Sequence, residues 1–210
     1  MVPSIIHHIV GPAKNEVIEC CLSSWMVLSD SGFLIMTWND EELASFIGKH
    51  YPFALAAFLN ARNHAEAADI ARYLLVYHYG GHYYDWDVQL LDKRMFLDLC
   101  NSNPDGFLLK DRHDGSLASE AFSANKMEPY LLKIIDDILE SYQNGEINSM
   151  RTLHYSGPFR MQSSYEKFPY SAQRVLGVKD VFMYEYNEIQ QMPEKTGQYA
   201  MIHYWLHSWL

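Results

Sequence analysis

The chain has 210 residues, of which 49% are hydrophobic, 20% charged and 14% aromatic, and it carries a formal net charge of −10. Those proportions fit one folded domain with a hydrophobic core and exclude disordered and fibrous classes. The acidic balance also argues against a nucleic-acid partner, because non-specific binding needs clustered Lys and Arg to displace counterions from phosphates.

In chain order, residues 5–10 are rich in β-branched side chains and stop at Gly11-Pro12, which predicts a short strand and a loop. Residues 16–28 read as a helix. Residues 33–38 form a nearly continuous apolar run between Gly32 and Asn39, the pattern of a strand buried on both faces. Asn39 followed by Glu42 has the spacing of a capping box and predicts a helix to about residue 47. The β-α-β-α opening predicts an α/β fold with a mostly parallel sheet flanked by helices, whose ligands sit beyond the carboxyl ends of the strands. A short helix over 52–60 follows, then a longer one over 65–79 that shows Ala67, Ile70, Ala71, Leu74 and Leu75 on one face and ends at Gly80-Gly81. Residues 82–84 read as a short strand that delivers Asp85-Trp86-Asp87. Strands are expected at 107–109 and 181–184 and a helix over 129–142, with loop-rich stretches at 110–126 and 151–173 of the kind that hold binding specificity.

Cys20, Cys21 and Cys100 have no CxxC spacing and read as reduced, buried thiols. The chain has no run of 18 apolar residues, and its start lacks a basic region followed by a long apolar stretch. The expected location is therefore cytoplasmic, with peripheral attachment to the cytoplasmic membrane face left open.

In an extended segment Asp85 and Asp87 point the same way and Trp86 points oppositely. Two converging carboxylates suit a hard divalent ion such as Mn²⁺ or Mg²⁺, which keeps positions open for diphosphate oxygens. Such an ion would let an acidic protein hold an anionic donor and would act as a Lewis acid. On the preceding helix Asp69 and Arg72 are three residues apart and share a face. Arg72 could contact a donor phosphate or sugar hydroxyl, and Asp69 could hold the guanidinium. A bare Asp/Arg pair at this spacing is ordinarily a surface ion pair, and a lone Asp-x-Asp arises often by chance. Their conjunction around a Gly-Gly break and a tyrosine-rich strand is the informative feature, and it makes Asp69, Arg72, Asp85 and Asp87 the candidate catalytic set.

The run Asp69-x-x-Arg72-Tyr73-x-Leu75, continued by Tyr79-Gly80-Gly81-x-Tyr83-x-Asp85-x-Asp87, resembles the signature of glycosyltransferase family 32. That family groups DXD-containing sugar transferases of polysaccharide and glycan synthesis and is related to the glucosylating bacterial toxins. Residues 5–11, Ser24-Trp25 and Trp38-Asn39-Asp40 are similar to its opening segment, and the closing residues 203–209 resemble its His-x-x-x-x-Ser-Trp tail. The resemblance implies a GT-A-like fold and retaining transfer of a hexose from a nucleotide-diphosphate sugar to a saccharide or lipid-linked saccharide. It implies one domain over 1–210, with a nucleotide-sugar and metal-binding half at 1–91 and an acceptor half at 92–210 whose tail returns to the metal. It also implies donor contacts at Ile9, Val10, Trp38, Asp69, Arg72, Tyr83, Ser208 and Trp209, metal ligation by Asp85, Asp87 and His203, and a Ser156-Gly157-Pro158 loop near the acceptor. Val10 departs from the pattern, because many relatives carry an aromatic residue there that stacks on the base.

Two rivals remain. A phosphatase of the haloacid-dehalogenase type also uses Asp-x-Asp, but Gln89 stands where its Thr or Val belongs and the motif here lies far from the first strand. The Asp136-Asp137 pair that could serve as its late metal site fits a solvated helix face instead. A non-catalytic sugar-nucleotide-binding module is the other rival, and the retention of all four polar residues counts against it, since paired carboxylates are costly without an ion. His7 and His8 face opposite ways on a strand, His64, His78 and His82 flank the site, and Met26, Met36 and Met95 read as packing residues.

Overall fold

The computed structural model describes residues 1–12, 15–168, 170–194 and 197–206. In order they form β1 (Ile5–Ile9), α1 (Glu16–Ser24), a 3-10 stretch (Trp25–Ser31), β2 (Leu34–Trp38), α2 (Asp40–His50), α3 (Pro52–Leu59), α4 (His64–Tyr79), β3 (Gly81–Tyr84), β4 (Val88–Leu90) and α5 (Lys93–Ser102). The second half adds β5 (Gly106–Lys110), β6 (Leu117–Ala124), α6 (Pro129–Gln143), α7 (Thr152–Tyr155), α8 (Pro158–Lys167), β7 (Arg174–Gly177), α9 (Tyr186–Ile189) and β8 (Met201–His203). Six strands form one sheet in the order β2-β1-β3-β6-β5-β7, and β6 alone among them runs antiparallel to its neighbours. β4 and β8 form a separate antiparallel pair that sets Val88 opposite His203.

Side-chain alternation along the strands divides the core between the two faces of the sheet. Tyr83 and Leu108 pack with α2, α3, α4 and α6, whereas Tyr84, Phe107 and Leu109 pack with Trp25, Leu28 and Phe96. α4 starts where Asn63 accepts from the Glu66 amide at 2.9 Å, and it stops at Gly80. Gly81 then takes φ +106, and a Cβ there would lie 2.6 Å from the Ile5 carbonyl oxygen, so only glycine lets β3 approach β1 so closely. At α2 the expected capping box is present, with Asn39 and Glu42 exchanging bonds of 2.9 Å.

Several expectations are corrected. Residues 33–38 are not buried on both faces, because β2 is the edge strand and Leu34 is 56% exposed. The helix expected over 16–28 changes to 3-10 geometry at Trp25, whose indole N–H donates to the Val88 carbonyl at 2.9 Å. The stretch 110–126 holds the central strand β6, and 151–173 holds α7 and α8. Residues 181–184 make only an isolated bridge, Phe182 to Met201, while the strand lies earlier, at β7. Asp137 is buried rather than solvated, held by Lys133 at 2.8 Å and by the Ser164 hydroxyl at 2.6 Å where α6 meets α8. Of the three free thiols Cys21 is buried, Cys100 half-buried and Cys20 exposed.

Candidate active site

α4 is covered on nearly every side by the sheet, α3 and α6, so Asp69 and Arg72 are buried rather than a surface pair. The guanidinium contacts Asp69 at 3.1 Å and Asp85 at 3.4 Å, donates to the Ser119 carbonyl at 2.7 Å and lies 4.7 Å from the centre of the Tyr83 ring. The Ser156 hydroxyl donates to Asp69 at 2.7 Å, which gives the serine before Gly157-Pro158 a definite task. Burial pushes Asp69 up to about 6, and the opposing pull of Arg72 and Ser156 only partly offsets it.

Asp85 follows β3 directly. Its amide donates to the Glu120 carbonyl at 2.9 Å, and its carboxylate accepts the Tyr83 hydroxyl at 2.6 Å. The segment is not extended as the alternation argument assumed: the Val88 amide donates back to the Asp85 carbonyl at 3.1 Å, closing a turn. The turn still brings the two carboxylates together. Ligand atoms of Asp85, Asp87 and His203 all lie within 4.8 Å of one another.

His203 reaches this point because β8 pairs with β4, which continues from the turn. Its Nε2 lies 3.2 Å from Asp87, and the other Asp87 oxygen accepts the Leu206 amide at 2.9 Å. Burial alone would lower the His203 pKa, but Asp87 outweighs it and raises the group to about 10. Burial raises Asp85, and Arg72 only partly counters this. Asp87 is lowered, because His203 and the Leu206 amide overcome the effect of burial. The remaining imidazole nitrogen, Nδ1, is buried with no hydrogen-bond partner among the described residues; Glu120 stands 3.8 Å away, too far to bond. Two carboxylates and an imidazole with a buried, unsatisfied nitrogen fit a hard or borderline divalent cation.

The cluster borders a cavity of about 360 Å³ that is also lined by Ile9, Asp69, Arg72, Tyr83, Trp86 and Trp205. Val10 is outside the lining. So is Trp38, whose indole donates to His7 at 3.3 Å and stacks on Tyr79 on the far side of β1. Ser208 and Trp209 lie outside the described residues. His64 borders the cavity and pairs with Asp40 at 3.2 Å, whereas His78 bonds Tyr51 and His82 sits near Cys100, both elsewhere. Glu120 was not anticipated. It lies on a strand rich in alanine and serine whose two faces are both largely buried, so neither alternation nor propensity marks it.

A mostly parallel α/β sheet with an Asp-Asp-His cluster beyond its strand ends is the arrangement that a GT-A type glycosyltransferase fold implies. The comparisons agree. Residues 15–105 match the family described as glycosyltransferase sugar-binding region containing DXD motif. The chain is similar to inositol phosphoceramide mannosyltransferase 1 of Schizosaccharomyces pombe, 27% identical over 70% of this chain and 46% of that protein. It is also similar to mannosyl phosphorylinositol ceramide synthase CSH1 of Saccharomyces cerevisiae, 24% identical over 80% of this chain and 43% of that protein. The chain thus spans about half the length of these curated relatives. Its fold matches PaToxG glycosyltransferase with a TM-score of 0.58 and 17% identity, covering 80% of this chain and 70% of that one. Residues 15–105 are thus similar to the sugar-binding region of DXD glycosyltransferases, and the fold is of the same type as a solved glycosyltransferase.

Proposed function

We propose that this domain transfers a hexose, with retention at the anomeric carbon, from a nucleotide-diphosphate sugar to a saccharide or lipid-linked saccharide, with Mn²⁺ or Mg²⁺ held by Asp85, Asp87 and His203. The observation that carries the reading is the convergence of those three side chains at the edge of a cavity that also exposes Asp69 and Arg72. A divalent ion there supplies Lewis acidity at the diphosphate of the leaving nucleotide.

The chain's own residues supply orientation. Arg72 fixes Asp85 and Asp69 at once, and the Ser156 hydroxyl locks Asp69 from the other side. That leaves Asp69 lone pairs free to accept a donor-sugar hydroxyl. Ile9 and Tyr83 form apolar wall where the donor would lie. No side chain is assigned as a covalent nucleophile, which favours departure and attack on one face of the sugar. Among the described residues no helix is long and apolar enough to cross a membrane. The proposed location is the cytoplasm, with peripheral attachment to the membrane where the acceptor is lipid-linked.

Nucleotide release from UDP- and GDP-sugars, measured with Mn²⁺, with Mg²⁺ and with chelator, tests the proposal. GDP-mannose heads the panel, since the fungal relatives are named for mannosyl transfer. Asp87→Asn is expected to abolish metal-dependent donor binding while the far-UV spectrum stays native. Full activity in that variant, or release that survives chelation, would sink the metal-dependent reading.

A further inference from the structure

Resting on the metal site of that reading, we infer that Glu120 is a positioning residue: its carboxylate takes the Nδ1 proton of His203 and so holds the imidazole with Nε2 turned to the ion. Both edges of the ring carry a nitrogen, and only one can face the ion. Nε2 lies 3.2 Å from Asp87, a member of the Asp85, Asp87 and His203 cluster. Nδ1 lies on the other edge, buried and without a hydrogen-bond partner among the described residues. Glu120 does not belong to the cluster, and its carboxylate stands 3.8 Å from Nδ1. A nitrogen that binds an ion uses its lone pair, so the proton of the neutral ring must then sit on the other nitrogen. A histidine held to a metal ordinarily donates that second N–H to a carboxylate, a carbonyl or water.

Packing does not choose the edge. Trp205 and Phe182 flank the ring, with centroids at 4.1 and 6.0 Å, and restrain its plane. A half-turn about the bond to Cβ keeps that plane and exchanges both nitrogens for carbons, so only a polar partner can oppose it. With Asp87 ligating the ion, Glu120 is the remaining acid paired with the ring among the described residues. The frame around Glu120 is stiff. Its carbonyl accepts the Asp85 amide at 2.9 Å, the preceding Ser119 carbonyl accepts Arg72 at 2.7 Å, and β6 is paired with β3 and β5. His203 is set opposite Val88 in the β4–β8 pair. The two groups therefore face each other from separate sheets, and closing to an ordinary N–H···O distance takes about 1 Å of side-chain movement. The Glu120 carboxylate is free to make it, since its one ion pair among the described residues is with His203 and it is 16% exposed on the cavity wall.

The experiment uses the full chain without donor. Proton–nitrogen correlation spectra of isotope-labelled histidine, recorded with equimolar diamagnetic Zn²⁺ and assigned with the His203→Gln variant, read which nitrogen of His203 carries the proton. The expected form is Nδ1–H, and a proton on Nε2 would overturn the inference from the parent chain alone. Mn²⁺ affinity, followed by the electron paramagnetic resonance of the free ion, is expected to fall about tenfold or more in Glu120→Ala. Glu120→Gln keeps an oxygen to accept from Nδ1 and should recover most of that loss. In a His203→Gln background, Glu120→Ala should weaken Mn²⁺ binding by less than about twofold, because the ring it orients is gone. Unchanged affinity in Glu120→Ala, an equal loss with and without His203, or an equal loss in the Ala and Gln variants would each overturn the inference, the last two by showing that Glu120 acts as a nearby charge. A parent chain that binds neither Mn²⁺ nor Zn²⁺ would instead strike the metal-dependent reading beneath it.

Discussion

Replacing Arg72 with methionine probes the centre of the site. The guanidinium is buried between Asp69 and Asp85, and Asp69 is pushed up to about 6 even with the arginine in place. Arg72→Met strands two carboxylates in a desolvated pocket, and breaking a buried pair from one side costs about 3–5 kcal/mol. For a chain of this size that corresponds to a drop in Tm on the order of 10 °C. The pH dependence is the sharper test. Without the arginine both acids bind protons more tightly folded than unfolded, so the folded state carries more protons between about pH 4 and 7 and stability falls as pH rises. The deficit should therefore be small at pH 5 and large at pH 8, measured by urea unfolding in chelator with far-UV circular dichroism. Adding Asp69→Asn should recover part of it at pH 8. A deficit under about 1 kcal/mol, typical of an exposed pair, or one equal at both pH values, would refute the reasoning.

Three further outcomes follow from other contacts. His203 is raised to about 10 in the folded chain, so in chelator its contribution is complete below about pH 6.5 and is lost as pH rises through 10, up to about 5 kcal/mol. Thermal melts from pH 6.5 to 10 should show that loss in the parent and a flatter profile in His203→Gln; identical slopes would contradict it. Gly106 sits at φ +96 with the Ser123 carbonyl oxygen 2.2 Å from where a Cβ would stand. Gly106→Ala should cost about 3 kcal/mol or more, and a Tm within 2 °C or so of the parent would count against the β5–β6 packing. Trp38→Phe should cost about 1 kcal/mol for the lost bond to His7 and leave the donor KM within about twofold, whereas a tenfold rise would return Trp38 to the donor site.

What the sequence made legible was local chemistry. The Asn39–Glu42 box, the Gly80-Gly81 stop and the buried tyrosines of β3 each have a short-range cause, and each stands where expected. The site was legible in part, because Asp69, Arg72, Asp85, Asp87 and His203 are brought together as the family motif implies. β6 was not legible. Six of the eight residues of its run Leu117–Ala124 are alanine, serine or glutamate, with little strand propensity, and β3 and β5 pair with it on both sides. The apolar run at β2 misled for the reverse reason, since its composition suits a buried strand while the sheet order places it at an edge.

The overlooked strand completes the site, and this makes sheet register a functional variable. The site has two basic side chains, each set among acids: Arg72 between Asp69 and Asp85, and His203 between Asp87 and Glu120. β6 serves both with successive residues. The Ser119 carbonyl takes Arg72, the Glu120 carbonyl takes the Asp85 amide, and the Glu120 side chain faces His203. A slip of one residue in the Tyr84–Ala121 pairing would turn Glu120 to the opposite face and leave the buried Arg72 guanidinium and His203 imidazole without those partners. The bulky aromatics of β3 oppose such a slip: Tyr83 packs against Phe122 and Tyr84 against Trp25 on opposite faces, so the hydrophobic core and the charge pattern select the same register.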